Sequence, residues 1–335
     1  MWTLTLLLAC KDPGTPESQP ACTGCDTVET ADTGTPADRW TGLRDDEGFG
    51  SSLARSADGA VLVGAPFGAP GRVYILQEDA VEVLLEGSGA DGLGLGLAVD
   101  SAGAVWAGQP LADSGLGRLL VDGEPVAYGA VQDALGARIA ASGSAVAATA
   151  GAALLVDGAR VALPARAAAV TWFDGVPVAG MVQEEVAVWS EAGALDRAAA
   201  HDEAGYALCA DDVDEDGLTE LVVGAPGAAT VYILDALTQA PGEATALEGP
   251  GGRFGQAVAC APGALLVGAP MYGEALTGAV WQLDAAALTA GTVGAPTRVG
   301  RAGDGLGAAV LFDGAHAWAG APGQADGPGA VIRLP

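Results

Sequence analysis

The sequence predicts an all-β protein that forms a closed seven-bladed β-propeller of four-stranded antiparallel blades. Three observations predict this fold. A glycine-centred pattern recurs seven times, short valine-rich or alternating segments fill the space between the glycines, and no segment places apolar residues at a helical period with capping residues. The chain is 50% hydrophobic, which excludes a disordered protein.

Two glycines define each unit of the repeat. They lie 14 residues apart in the first two units, at Gly50 and Gly64 and at Gly94 and Gly108. The other five units have their two markers at Leu135-Gly136 and Ala150, Asp174-Gly175 and Gly180, Gly205 and Gly224, Gly255 and Gly268, and Gly307 and Gly320. The second marker recurs about every 43 residues, which is the length of a propeller blade, so seven blades use the chain from residue 38 to residue 335.

The last unit predicts how the ring closes. It contains three strand-like segments and then the chain ends, one strand short of the other units. Residues 39–44 have the composition of the fourth strand elsewhere, such as residues 297–301. We therefore predict that residues 39–44 supply the outer strand of the last blade, which removes a free sheet edge.

One unit contains an acidic loop with the spacing of a calcium site. Asp212, Asp214 and Asp216 alternate along the chain, and Gly217 permits the sharp turn that would bring their carboxylates together. Without a cation these carboxylates would repel one another. The predicted calcium (Ca2+) ligands are Asp212, Asp214, Asp216, the Leu218 carbonyl oxygen and Glu220. A solvated acidic turn is the alternative.

The repeat resembles a known family. Phe49-Gly50 with Gly64-Ala65-Pro66, and Phe254-Gly255 with its own Gly-Ala-Pro, resemble FG-GAP repeats, whose best-known members include the head of integrin α-subunits. The resemblance spans residues 39–335 and implies a propeller that serves adhesion or protein recognition. It also implies calcium between the first and second strands of a blade, where residues 212–220 fall, with aspartate the usual residue at the position of Glu220.

The N-terminal region predicts export and a lipid anchor. Residues 1–9 are predicted to form a lipoprotein-type signal peptide, whose apolar run from Leu4 to Ala9 is too short to span a bilayer. Leu7-Leu8-Ala9-Cys10 resembles the lipobox of bacterial lipoproteins, in which the cysteine is lipidated; a truncated ordinary signal or a free N-terminal cysteine is the alternative. Residues 10–37 are predicted to form an acidic tether rich in Pro, Thr and Gly. Within it, Cys22 and Cys25 are predicted to form a local disulfide.

A second cysteine pair lies in the repeat region. Cys209 follows the first glycine of its unit by four residues, and Cys260 follows that of the next unit by five. Neighbouring blades meet with opposite sheet faces, so this difference in parity permits a facing pair. Two interpretations stay open at this stage, a disulfide and two buried thiols.

Four units place an acidic residue three positions before the first glycine. We expect these residues on one rim of the propeller, either as turn-forming residues or as a rim that attracts cations. They are Glu47, Asp91, Asp133 and Asp304.

Charge and motifs narrow the function. The net charge of −28 excludes nucleic acid and anionic membrane surfaces as partners. The two histidines, His201 and His316, have no partner spacing, no catalytic motif occurs, and the tryptophans fall in strand patterns that predict blade packing. The uncharged segment 139–156 is long enough for a membrane helix, but its Ala, Gly, Ser and Thr content and the repeat favour strands.

These observations together predict a non-enzymatic binding or adhesion module. It would be a calcium-binding lipoprotein exported to the bacterial cell envelope, at the outer membrane, the cell surface or in the periplasm. It would contact the membrane through its lipid alone and bind a protein or polysaccharide through loops on one propeller face. The alternative is an exported hydrolase or lyase whose active site is assembled across blades.

Overall fold

A computed structural model describes residues 38–78, 80–182, 186–196, 202–237, 243–323 and 327–335. The chain divides into two units, Met1–Thr35 and Pro36–Pro335, and the described residues belong to the second. The predictions for Cys10, Cys22, Cys25 and the tether therefore lie outside the described residues, as does His201.

The described residues form seven four-stranded antiparallel sheets arranged as the blades of a β-propeller. The first strand of the chain, β1 (Arg39–Thr41), belongs to the last blade. Blade one contains β2 (Ser52–Arg55), β3 (Val61–Ala65), β4 (Arg72–Leu76) and β5 (Val81–Glu86). Blade two contains β6 (Leu97–Val99), β7 (Val105–Gln109), the short helix α1 (Ala112–Gly115), β8 (Arg118–Val121) and β9 (Glu124–Tyr128). Blade three contains β10 (Ile139–Ser142), β11 (Ala145–Thr149), β12 (Ala153–Val156) and β13 (Ala159–Ala162).

The remaining blades repeat this arrangement. Blade four contains β14 (Ala169–Phe173), β15 (Val176–Gly180), β16 (Val186–Ser190) and β17 (Gly193–Asp196). Blade five contains β18 (Ala207–Asp211), β19 (Glu220–Ala225), β20 (Thr230–Leu234) and β21 (Thr245–Glu248). Blade six contains β22 (Ala257–Ala261), β23 (Ala264–Ala269), β24 (Ala279–Asp284), the helix α2 (Ala285–Thr289) and β25 (Arg298–Val299). Blade seven contains β26 (Ala309–Phe312), β27 (Ala317–Ala321) and β28 (Ala330–Arg333), with β1 as its outer strand.

The closure predicted from the sequence is confirmed. Strand β1 pairs antiparallel with β28, with Trp40 opposite Val331. The Trp40 ring packs against the Trp318 ring at 5.1 Å between centroids, and the Arg333 guanidinium donates to the Asp38 carboxylate at 2.9 Å. The first and last strands of the domain therefore complete one sheet, and the inner strands β26 and β2 contact each other to close the ring.

Paired glycines explain the repeat physically. A Cβ on the second glycine of one blade would overlap the carbonyl oxygen of the first glycine of the next blade, so the two backbones approach at a distance that other residues do not permit. Six of the seven blade contacts use such a pair: Gly64 with Gly94, Gly108 with Gly136, Gly180 with Gly205, Gly224 with Gly255, Gly268 with Gly307, and Gly320 with Gly50.

The contact between blades three and four corrects two of the predicted markers. Asp174-Gly175 is the two-residue turn between β14 and β15, not the first marker of its unit. Strand register places Ala167 at that position, because Ala169 pairs with Gly180 as Ser52 pairs with Gly64. The predicted second marker Ala150 is also displaced by one residue, since the equivalent residue is Thr149. The repeat has lost its glycines here, so its spacing could not be read from the sequence.

The core consists of seven apolar clusters, one between each pair of neighbouring sheets. Phenylalanines of the repeat lie in them: Phe49 packs edge-on against Tyr74, and Phe254 packs edge-on against Trp281. Trp281 and Trp318 are buried, as expected for blade packing. Segment 139–156 forms β10, β11 and β12, and across the described residues no helix is both long and apolar enough to cross a bilayer.

Candidate metal centre

The propeller has two chemically different ends. Every inner strand begins just after the Phe-Gly position of its blade, so the turns around Phe49, Leu93, Leu135, Phe254 and Leu306 lie at one end, here called the Phe-Gly end. The turns that join each inner strand to the second strand, including Asp58-Gly59 and Asp313-Gly314, lie at the other end, here called the hairpin end. The predicted metal loop lies at the hairpin end, in blade five.

Residues 212–219 form the loop between β18 and β19. The chain reverses at Glu215 and Gly217, which have φ values of 64° and 91°. Aspartate side chains support the curl: the Gly217 N–H donates to Asp212 Oδ2 at 3.1 Å, and the Leu218 N–H donates to Asp216 Oδ1 at 2.8 Å. The loop thus folds back on itself.

Four carboxylates converge inside this loop. One oxygen each from Asp212, Asp214, Asp216 and Glu220 lies within 4.8 Å of all the others. Spacing alone predicted this convergence, and the longer Glu220 side chain reaches the cluster. The Leu218 carbonyl oxygen stays a predicted ligand; the side chain of that residue is 59% exposed.

Two oxygens of the cluster are buried without a hydrogen-bond partner. Glu220 is 1% exposed, and its Oε2 accepts from the Val213 N–H at 2.8 Å, while its Oε1 has no partner. The Oδ1 of Asp212 is likewise buried without a hydrogen-bond partner. Burying carboxylate oxygens without partners is costly, and a bound cation would satisfy both of them.

The burial of Glu220 without enough hydrogen-bond partners also affects its protonation. The pKa of its carboxyl is raised from 4.5 to about 7, mainly by burial; the charges of Asp214, Asp216 and Asp212 act in the same direction, and the Val213 N–H acts against them. Without a cation, this residue is substantially protonated near neutral pH. A cation would favour the ionised form.

A disulfide lies beside the loop. Cys209 in β18 and Cys260 in β22 form a disulfide, with their Cα atoms 5.6 Å apart. Of the two interpretations of this cysteine pair, a disulfide or two buried thiols, the structure contains the disulfide. It links blades five and six near the hairpin end. The Gly263 N–H also donates to the Asp212 carbonyl oxygen at 2.9 Å. Blade six therefore supports the loop through both a covalent and a hydrogen bond.

The acidic residues on the rim of the Phe-Gly end already have hydrogen-bond partners within the protein. Asp91 accepts from the Ser88 N–H, the Leu93 N–H and the Gln109 side chain at 2.9 to 3.1 Å. Asp133 and Asp304 each form two hydrogen bonds to an arginine, Arg160 and Arg39 respectively. Glu47 accepts from the Leu43 N–H and the Tyr74 hydroxyl at 2.9 and 2.6 Å.

These contacts favour the interpretation of the rim as turn-forming residues over a rim that attracts cations. The Arg160 side chain lowers the pKa of Asp133, against the effect of burial. Asp202, three positions before Gly205, is a fifth member that the sequence analysis missed. It is 2% exposed and accepts from the Ala204 N–H at 3.0 Å. Its position in the repeat was the signal that could have identified it.

Exposed apolar side chains concentrate at the Phe-Gly end. Phe67 and Val131 are 66% and 80% exposed, and the backbone of Phe67 is held to the rim, because its N–H donates to the Glu47 carbonyl oxygen at 3.0 Å. In the described residues, the large exposed apolar side chains of this end are Leu43, Phe67, Leu111, Val131, Met271 and Leu276. At the hairpin end, Leu218 is the large exposed apolar side chain of the described residues. The remaining large exposed apolar side chains lie on outer strands.

Cavities among the described residues include one at the hairpin end and one on the propeller axis. A cleft of about 490 Å³ at the hairpin end lies between blades seven and one, where Trp40, Trp318, His316 and Arg333 line it. His316 Nδ1 lies 3.5 Å from Asp313 Oδ2, but Asp313 is already held by the Trp318 indole N–H and two backbone N–H groups. An axial cavity of about 220 Å³ is lined by the beginnings of six inner strands.

Comparisons with known proteins identify the repeat and the fold. Residues 204–234, from the Phe-Gly position of blade five through β20, match the model of the FG-GAP repeat. Similar solved structures include the WD40 β-propeller domain of Doa1, with 13% identity, a TM-score of 0.58 and coverage of 88% of this chain and 95% of that chain. A catalytically inactive virginiamycin B lyase from Staphylococcus aureus, solved with quinupristin, has 13% identity, a TM-score of 0.61 and coverage of 88% and 97%. No curated protein sequence matches the chain.

Proposed function

We propose that this chain is an exported, calcium-stabilised binding module that docks a protein partner through its Phe-Gly end. The observation that carries the proposal is the asymmetry between the ends: among the described residues, six large exposed apolar side chains lie at the Phe-Gly end and Leu218 lies at the other. Exposed apolar side chains that act together at one end of a protein mark interaction sites, and we propose that these six act in this way. Leu, Met and Phe side chains favour a protein over a polysaccharide as the partner.

Calcium is the cation proposed for blade five. The converging donors are all carboxylate oxygens, which suit a hard cation, and an all-protein set of oxygen ligands suits calcium better than magnesium, which demands strict octahedral geometry and usually keeps several waters. The position of the loop within the matched FG-GAP repeat supports the same ion. We expect a dissociation constant of about 10⁻⁴ to 10⁻³ M, the range of extracellular calcium modules.

The docking proposal is tested by site-specific photocrosslinking in producing cells. A photoreactive residue replaces Phe67 in one variant and Leu218 in another, because both side chains are exposed and apolar but lie at opposite ends. The proposal expects a discrete protein adduct from position 67 and background labelling from position 218. Equal labelling at the two positions would contradict it.

The anchor proposal rests on the lipobox-like Leu7-Leu8-Ala9-Cys10. Cys10→Ser is expected to move the protein from the membrane fraction to the soluble fraction, and Cys22→Ser is the matched control that should leave it membrane-bound. Membrane retention of Cys10→Ser would show that the protein is held in another way. The anchor places the propeller in the cell envelope, with the lipid as its membrane contact.

The cavities favour binding over catalysis. The described residues that line the axial cavity include no carboxylate and no imidazole, so they offer no ordinary general base. In the cleft between blades seven and one, Asp313 is fixed by the protein and is not free to act on a ligand. The hydrolase or lyase alternative would have to use His316 and Glu78, which line the same cleft.

A further inference from the structure

The axial cavity contains one formally charged side chain among its described lining residues, that of Arg138. Arg138 stands two positions after the first glycine of blade three. The equivalent residues of the other blades, which pair with the second glycine, are small: Ser52, Gly96, Ala169, Ala207, Ala257 and Ala309. Blade three therefore places a long cation where the other blades have almost no side chain.

Blade three also differs at the residue opposite Arg138. Thr149 replaces the second glycine, and its hydroxyl accepts from the Arg138 N–H at 3.0 Å. The Thr149 N–H donates to the Arg138 carbonyl oxygen at 2.9 Å, so the backbone of Arg138 is fixed on both sides. The two departures from the repeat occur at one pair of residues and hold the arginine at the axis.

The charge of Arg138 has no carboxylate partner. In the described part of the chain, the other arginines either lie within salt-bridge distance of a carboxylate or are exposed to solvent. Arg138 is partly buried, and its side chain donates to the Ala137 carbonyl oxygen at 2.8 Å, which uses one of five N–H donors. Burial lowers the pKa of its guanidinium, which is the electrostatic penalty of a cation without a counter-charge.

Uncharged polar groups accompany Arg138 in the cavity. The lining includes Tyr206 of blade five, whose ring packs under the Arg253 guanidinium at 5.1 Å. Gln256 lines the same cavity, and its side-chain amide accepts from Arg253 through Oε1, which leaves the amide N–H groups as donors. Ser51 and Ser52 also line it, but their hydroxyls already donate to the Gly48 and Gly94 carbonyl oxygens. Hydroxyl and amide groups beside a guanidinium form the donor set that recognises an oxyanion.

We propose that the axial cavity binds a small oxyanion, a carboxylate, sulfate or phosphate group, that pairs with Arg138. A cavity of about 220 Å³ fits such a group and is smaller than the usual site of a drug-sized ligand. The site is separate from the calcium loop and from the exposed apolar side chains, so its test is independent of the proposed docking function.

Isothermal titration of the full chain with sulfate, phosphate and acetate tests the proposal, with chloride at matched ionic strength as the reference. We expect saturable binding of at least one oxyanion above the chloride reference. The anion that binds most tightly shows whether the cavity prefers a sulfate, a phosphate or a carboxylate group. Arg138→Gln is expected to weaken that binding by about tenfold or more, the usual loss of a charge-assisted bidentate contact. Arg55→Gln, which removes an exposed arginine, should leave it within about twofold.

Conservative variants keep the test decisive if Arg138→Gln is unstable. Arg138→Lys preserves the charge and should retain part of the binding, while Tyr206→Phe should weaken it and leave the fold intact. The proposal is overturned by wild-type protein that shows no saturable oxyanion binding, or by Arg138 variants that fold and bind oxyanions as the wild type does.

Discussion

The rim of the Phe-Gly end and the blade-five loop at the hairpin end use carboxylates in opposite ways. At the Phe-Gly end, buried carboxylates such as Asp91 and Asp133 accept hydrogen bonds from backbone N–H groups and arginine. At the hairpin end, Glu220 and Asp212 each keep a buried oxygen without a partner. The difference teaches that an acidic residue indicates a cation site only when the protein leaves it unsatisfied, since satisfied carboxylates act as structural caps.

The strongest test of this comparison removes a rim carboxylate. Asp91→Ala is expected to lower the free energy of unfolding by about 4 kcal/mol, because it leaves the Ser88 and Leu93 N–H groups and the Gln109 amide without their acceptor. Urea unfolding measures the loss, which should be equal in calcium and in chelator. Asp113→Ala, at a half-exposed carboxylate paired with Arg118, is the control and should lower the free energy of unfolding far less. A calcium-dependent loss at Asp91 would place a cation at the rim.

The next test uses the pKa of Glu220 and requires chelated protein. Because the folded-state pKa is raised from 4.5 to about 7, the native state binds the extra proton, and the stability it confers is lost as pH rises from about 4.5 through about 7. The full change corresponds to about 3 kcal/mol. Urea unfolding across this pH range should show the loss in wild type and not in Glu220→Gln. Identical pH profiles would show that Glu220 titrates normally.

Saturating calcium should remove that pH dependence, because the cation holds Glu220 in its ionised form. Asp133 provides the contrast at the opposite end, since its lowered pKa makes it contribute stability that is present above its unfolded-state pKa and lost as pH falls. Calcium should leave this acid-side loss unchanged. A calcium effect on the acid side would contradict the assignment of the rim to structure.

The smallest expected effect on stability concerns the exposed surface of the Phe-Gly end. Phe67→Ser should change the free energy of unfolding by less than about 0.5 kcal/mol, because the ring is 66% exposed. Thermal unfolding measures this value, with Phe49→Ser as a buried contrast that should destabilise strongly. A large loss from Phe67→Ser would mean that the ring serves folding, which would weaken its role in docking.

The repeat made most of the fold predictable from the sequence. Paired glycines gave the number of blades because close backbone approach demands them, and the composition of residues 39–44 predicted the strand that places Trp40 opposite Val331. The register of blade four was mispredicted because Ala167 and Thr149 carry no glycine signal. Where the pattern is lost, register depends on tertiary packing alone.

The candidate site was less predictable, because local spacing does not reveal distant partners. The alternation of Asp212, Asp214 and Asp216 predicted that they would converge. Whether Asp304 was free could not be known, since its partner Arg39 is 265 positions away in the chain. Arg138 carried a local signal, a long side chain at a position where other blades have small residues, but its isolation from carboxylates became evident in the folded chain.

Calcium titration by calorimetry measures whether the blade-five loop binds a cation. Wild-type protein at neutral pH is expected to bind one calcium ion per chain, Asp214→Ala should abolish that binding, and Glu215→Gln should preserve it, because Glu215 lies in the same loop but outside the four converging carboxylates. Absence of saturable binding by the wild type, or binding that survives Asp214→Ala, would contradict a calcium site in blade five.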